Sequence, residues 1–104
     1  MNLVILTGNL GKDPELTYTQ SGKNVMKFSI ATTDGYGENK KTNWHRVEIW
    51  NKEQLLPYIS KGSKITVTGS IDYTEYEGKY YTTIKAYNIE LLGSKKGEDN
   101  AENI

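Results

Sequence analysis

The chain has 104 residues, 36% of them hydrophobic and 25% charged, which is the size of one domain with one core. Thirteen Lys plus Arg balance thirteen Asp plus Glu, so no net field draws in a polyanion or a membrane surface from a distance. The absence of Cys and a single His exclude disulfides, thiolate nucleophiles and the usual zinc clusters, and no apolar run reaches bilayer length; a cytoplasmic protein without a membrane partner is expected.

Two Trp and eight Tyr beside many Thr, Val and Ile make a β composition. Met1 to Asn9 reads as a first strand with Leu3 and Ile5 on one face and Val4 and Leu6 on the other. Both faces are apolar, so this strand is expected centrally or at a subunit contact. Gly8, Gly11 and Asp13-Pro14 then break the run. A second strand is expected over Val25 to Thr33, with Met26, Phe28 and Ile30 inward. The polar stretch Asp34 to Asn43 reads as an exposed, mobile loop in which Tyr36 stands alone. Trp44 to Trp50 is the third strand. Asn51 to Ser60 is the one expected helix, capped by Asn51 with Gln54 three residues on, and shortened or bent by Pro57. The fourth strand runs from Lys64 to Asp72, where Gly69 suggests a bulge or bend, and a hairpin turns at Glu77-Gly78. The fifth runs from Tyr80 to about Leu92, and a change of apolar phase between Ala86 and Ile89 indicates a second sign of a bulge. Residues 93–104 carry no hydrophobic pattern and read as a short, disordered acidic tail after a domain spanning 1–92. Five strands with one short helix between the third and fourth, and a long hairpin joining the last two, predict an all-β oligonucleotide/oligosaccharide-binding (OB) barrel.

The third strand holds the candidate chemistry. Alternation puts Trp44, Arg46, Glu48 and Trp50 on one face and His45, Val47 and Ile49 on the other, and the apolar pair claims the core. Two indoles flanking a cation suit unpaired nucleobases, which stack on flat rings while Lys and Arg follow the phosphates. Alternation leaves open that the indoles are covered instead by the Asp34 to Asn43 loop or by a neighbouring subunit. On the hairpin, Tyr76 beside the turn is the ligand candidate, whereas Tyr73, Tyr80 and Tyr81 are expected to pair across the strands. Lysines recur along the body, including Lys27, Lys52, Lys61 and Lys64, and any single one is ordinarily a solubility device. Setting aside residues 93–104 takes away two of thirteen cations and three of thirteen anions and leaves a body of net charge +1, so a groove could be weakly positive. His45 is expected to be packed and hydrogen-bonded. Asp13, Glu15, Glu48 and Asp72 show no ligand spacing, so neither a metal nor any cofactor is expected, and a metal-dependent nuclease on this fold is the least supported reading.

The segments NLVILTGNLGKDPELTYTQSG, WHRVEIW, YISKGSKITVTGSI and EGKYYTT, in this order, resemble the bacterial single-stranded DNA-binding protein family over residues 2 to 92. The resemblance implies an OB barrel that assembles, as a homotetramer or in some members otherwise, and wraps unpaired DNA with little sequence preference and no catalysis, in replication, recombination and repair. The family's base-stacking positions fall on Tyr36, Trp44, Trp50 and Tyr76. Its basic positions fall on Arg46, Lys52 and Lys61, with Lys27 and Lys64 as further phosphate contacts, and its subunit contact on His45 beside Leu3 and Ile5. Three departures stand out. Tyr occupies the loop and hairpin positions where Trp is common, Asp72, Glu75 and Glu77 stand where relatives are often basic, and residues 93–104 end in Ile104 instead of a long linker with an acidic tip and terminal Phe. Recruitment of replication or repair proteins through that tail is therefore poorly supported, and a short member from a phage, plasmid or mobile element, nucleoid-associated in its host, is the expectation. A related barrel used as a replication-restart or assembly module, binding proteins and only weakly DNA, is the alternative.

Overall fold

The computed structural model describes residues 1–93. It contains six strands: β1 Val4–Leu10, β2 Glu15–Tyr18, β3 Asn24–Asp34, β4 Lys41–Trp50, β5 Lys64–Tyr76 and β6 Lys79–Gly93. The sheet runs β1-β5-β6-β4-β3-β2, and a further pairing of β1 with β3 joins its ends, so β1, β5, β6, β4 and β3 form a closed five-stranded ring with β2 appended to β3. Closure removes most of the edges a five-stranded sheet would expose, which gives the OB barrel expected from the strand pattern. All contacts along the ring are antiparallel except β4 with β6, where Val47 lies beside Ile84 and Glu48 beside Lys85.

Alternation determines what fills the ring. Met26, Phe28 and Ile30 of β3, Val47 and Ile49 of β4, Ile65 and Val67 of β5, and Ile84 and Ile89 of β6 are buried together with Leu10 and Ile59. The bulge read from Gly69 and from the phase change on β6 is present: Thr68 pairs with Asn88 but Gly69 with Ala86, leaving Tyr87 as the extra residue. A Cβ on Gly69 would collide with the Lys85 carbonyl, so the strands approach there only because the side chain is missing. The β5–β6 hairpin turns through Glu77 (φ 52°) and Gly78 (φ 82°), the two left-handed residues of a type I′ geometry that matches strand twist.

Three expectations are corrected. The helix over Asn51 to Ser60 is a 3₁₀ segment, Glu53–Tyr58, with Pro57 inside it. Asn51 does not cap it, since its backbone is left-handed (φ 54°) and its N–H donates to the Asn24 carbonyl at 2.8 Å. The loop over Asp34 to Asn43 is shorter than expected: β3 and β4 stay in register out to Asp34 opposite Lys41, so Asp34 and Lys41 to Asn43 belong to strands and residues 35–40, with a 3₁₀ turn at Gly37–Asn39, make the connection. β2 went unread because a four-residue strand with one inward apolar side chain, Leu16 opposite Met26, shows almost no periodicity. Beside it, Glu53 Oε1 accepts hydrogen bonds from Asn24 Nδ2 (2.8 Å) and the Tyr18 hydroxyl (3.3 Å), tying the 3₁₀ segment to β2 and β3. Local desolvation, followed by the Glu53 charge and this hydrogen bond, holds the Tyr18 phenol above its ordinary range. The acidic tail lies outside the described residues, except that Gly93 closes β6.

Candidate nucleic-acid interface

The outer face of β4 carries Trp44, Arg46, Glu48 and Trp50, as alternation required, and both indoles are open: Trp44 keeps 60% and Trp50 40% of its surface. On the opposite face Val47 and Ile49 are buried. A groove of about 1100 Å³ runs over this face. Its floor is Ser29, Trp44, Arg46 and Glu48 from β3 and β4, one wall is the β1–β2 connection with Gly11, Lys12 and Asp13, and the other is the hairpin with Thr74, Tyr76, Tyr81 and Thr83. The parallel β4–β6 pair carries the hairpin alongside β4, so Tyr76 and Tyr81 share the space above Trp44 and Arg46.

Trp44 is seated as well as exposed. A Cβ on Gly11 would come within 2.6 Å of its six-membered ring, so the bare glycine backbone forms a shelf that holds the indole in the groove wall. Gly11→Ala is therefore expected to leave the melting temperature within a few degrees, because the far end of an exposed side chain can yield. It should tilt the indole and shift its emission, which a fluorescence spectrum would read.

Of the sequence-predicted residues, Trp44, Arg46, Tyr76 and Lys27 come together in the groove. Trp50 lies outside it, about 20 Å from Trp44 along the same strand face at ~3.3 Å per residue. Tyr36 is exposed at the tip of the β3–β4 connection. Lys52 and Lys61 flank the 3₁₀ segment, and the Lys61 backbone N–H donates to Asp13 Oδ1 at 2.7 Å, which brings Lys61 to the groove's mouth. Lys64 pairs opposite Asn9 and, by alternation with buried Ile65, points to the outer face of β1 and β5 that Ile5 shares, away from the groove. His45 accompanies Ile30 on the inner side of β3 and β4, with Nε2 2.8 Å from the Thr32 hydroxyl, so it is hydrogen-bonded as expected and does not share the face of Leu3 and Ile5.

No two of the hairpin tyrosines expected to pair stand directly opposite each other: Tyr73 faces Thr82, Tyr80 faces Glu75 and Tyr81 faces Thr74, which leaves Tyr73 and Tyr80 as diagonal neighbours on one face. Tyr81 and Lys12 were missed as groove residues. The signal available was the alternation of Tyr81 with Thr83 in phase with Tyr76, which the aromatic count obscured. Lys12, Lys27 and Arg46 meet Asp13, Glu15 and Glu48 in the lining, so the groove is electrically balanced and not positive. Among the described residues no three of His, Cys, Asp and Glu are grouped to hold a metal ion, and no helix is long and apolar enough to cross a membrane.

A model of the Single-strand binding protein family matches residues 1–92. The chain belongs to the single-strand binding protein family. It is 41% identical to the single-stranded DNA-binding protein of Xanthomonas campestris pv. campestris over 91% of this chain and 62% of that protein. It is 32% identical to single-stranded DNA-binding protein 1 of Chlorobaculum tepidum over 91% and 67% of the respective chains. The chain spans about three fifths of the length of the Xanthomonas relatives it matches. A solved structure of a Plasmodium falciparum single-strand binding protein in complex with ssDNA superposes with a TM-score of 0.81 at 25% identity, over 88% of this chain and 95% of that one. Two of the segments that carry the resemblance build the groove: the one through β1 supplies Gly11 for the Trp44 seat, and WHRVEIW supplies Trp44, Arg46 and Glu48 of the floor.

Proposed function

We propose that the chain binds single-stranded DNA without catalysis and with little sequence preference, through base stacking on Trp44 and Tyr76, extended by Trp50 and Tyr36, and phosphate contacts from Arg46 and Lys27. Lys52 and Lys61 continue the phosphate track at the end of the barrel, and Lys64 serves strand segments passing over the outer face. The observation that carries this reading is the exposed Trp44 indole seated on Gly11 inside a groove that also holds Arg46 and Tyr76. Neutralising phosphates and stacking unpaired bases needs this combination, and no reacting group is required. Oligo-dT added at micromolar protein and low salt should quench indole emission; an unchanged spectrum would overturn the proposal. The assembly-module alternative is not favoured, since the relatives above are named for DNA binding.

The working unit is a homo-oligomer, with a tetramer preferred to a dimer, built from residues 1–92 and acting in DNA replication, recombination and repair in the cytoplasm. Leu3 and Ile5 leave 54% and 61% of their surfaces bare on one face of β1. The segment is held rigid, because Asn2 exchanges two hydrogen bonds with the Ile71 backbone at 2.8 and 2.9 Å. β1 also pairs along its whole length with β5 but with β3 only at Asn9 and Leu10, so its Val4 to Thr7 edge has no partner strand among the described residues. A second copy would cover both the apolar face and that edge. Ile5→Asp should shift the light-scattering mass towards a single 11.8 kDa chain while the β-sheet circular dichroism persists. An unchanged assembly would remove β1 from the contact.

A further inference from the structure

A row of side chains of alternating charge crosses the outer face of the sheet, and its Glu15, Lys27 and Glu48 line the groove. Glu15 on β2 stands opposite Lys27 on β3, Lys27 opposite Glu48 on β4, and Glu48 beside Lys85 on β6. Lys85 Nζ in turn lies 3.6 Å from Asp72 Oδ2 on β5. Residues opposed across adjacent strands, which lie about 4.7–4.9 Å apart, are well within the ~10 Å screening length at 0.1 M salt. Each lysine thus sits between two carboxylates, and three carboxylates face two lysines. Two residues along β4, Arg46 stands opposite uncharged Ser29, and among the described residues only Lys85 and Asp72 lie within salt-bridge distance. Glu48, half-buried at the centre of the row, is the one acidic side chain adjacent to both lysines.

We propose that Glu48 sets an upper limit on the groove's affinity for single-stranded DNA: its charge, held beside Lys27 and Lys85, offsets part of the neutralisation those lysines would give a phosphate. The inference rests on the DNA-binding reading above and deepens it. A phosphate that replaces Glu48 as the neighbour of Lys27 releases a counterion from the DNA, but the displaced carboxylate takes one up. The row therefore adds little to the salt dependence that its lysines would otherwise bring.

The test is a titration of Glu48→Gln, Glu48→Lys and the unaltered chain with fluorescein-labelled oligo-dT across 20–300 mM KCl, where those concentrations are on the order of the range over which phosphate contacts are screened. Gln matches Glu in shape, so E48Q changes charge alone. E48Q is expected to bind about three- to tenfold more tightly at low salt and to steepen the plot of log affinity against log salt by up to about one; E48K should go further in both. Equal or weaker binding by E48Q, with melting unchanged, overturns the inference and leaves the DNA reading standing. No binding by the unaltered chain or either variant overturns the DNA reading, and this inference with it.

Discussion

Trp44→Ala is expected to weaken binding to oligo-dT by roughly 5- to 150-fold, which corresponds to the ~1–3 kcal/mol that stacking one base on an aromatic ring contributes. The size follows from where the ring sits. Trp44 is open to solvent, belongs to no part of the buried cluster, and rests on the Gly11 backbone between Arg46 and the hairpin tyrosines. Removing it opens no cavity in the core, so the melting temperature should move by only a few degrees while affinity falls. Trp50→Ala should show a smaller loss, because Trp50 lies beyond the groove and is more covered. Fluorescence anisotropy of a labelled oligonucleotide measures both variants without depending on the indole being replaced. Equal affinity for W44A and the unaltered chain would remove the stacking platform from the mechanism.

A large loss of stability is expected from Gly69→Ala. A methyl group there meets the Lys85 carbonyl and the Ala86 Cα, which are backbone atoms of the strand hydrogen-bonded alongside, so relief requires β5 and β6 to separate at the bulge. Overpacking of this kind costs about 1–3 kcal/mol, and more where backbone has to move. At roughly 4–8 °C per kcal/mol for a domain of this size, the melting temperature should fall by about 5–20 °C. Calorimetry or thermal circular dichroism reads this directly. Gly78→Ala, at the solvent-facing hairpin turn where nothing lies within contact distance of a Cβ, should lose only the smaller left-handed backbone strain. If the two variants melted alike, the close approach at Gly69 would carry no weight in holding the barrel closed.

The sequence-level expectations that failed share a cause. The 3₁₀ segment, the β3–β4 connection and β2 are set by backbone hydrogen bonds, while their own side chains show little pattern. Asn51 looks like a helix cap until its N–H is found committed to Asn24, 27 positions away. Asp34 and Lys41 to Asn43 look like loop because they are polar and so are their partners, yet the ladder pairs Asp34 with Lys41, Thr33 with Thr42 and Thr32 with Asn43. The bulge was legible because it displaced an apolar series, leaving Ala86 and Ile89 out of phase, and Gly69 marked the same spot independently.

Strand alternation belongs to one segment and its two faces, so the chain alone determined that Val47 and Ile49 go inward while Trp44, Arg46, Glu48 and Trp50 stay wet. The β1 and W-H-R-V motifs determined the family. What only the closed barrel decided is which wet residues become neighbours. The parallel pairing of β4 with β6 sets Tyr76 and Tyr81 above Trp44, and the β2–β3–β4 register seats Lys27 between two carboxylates, turning a body of net charge +1 into a balanced groove. Periodicity gives a strand its inside and outside, but its partner and register are chosen by ring closure, which buries the inward apolar faces together and pairs most of the strand edges.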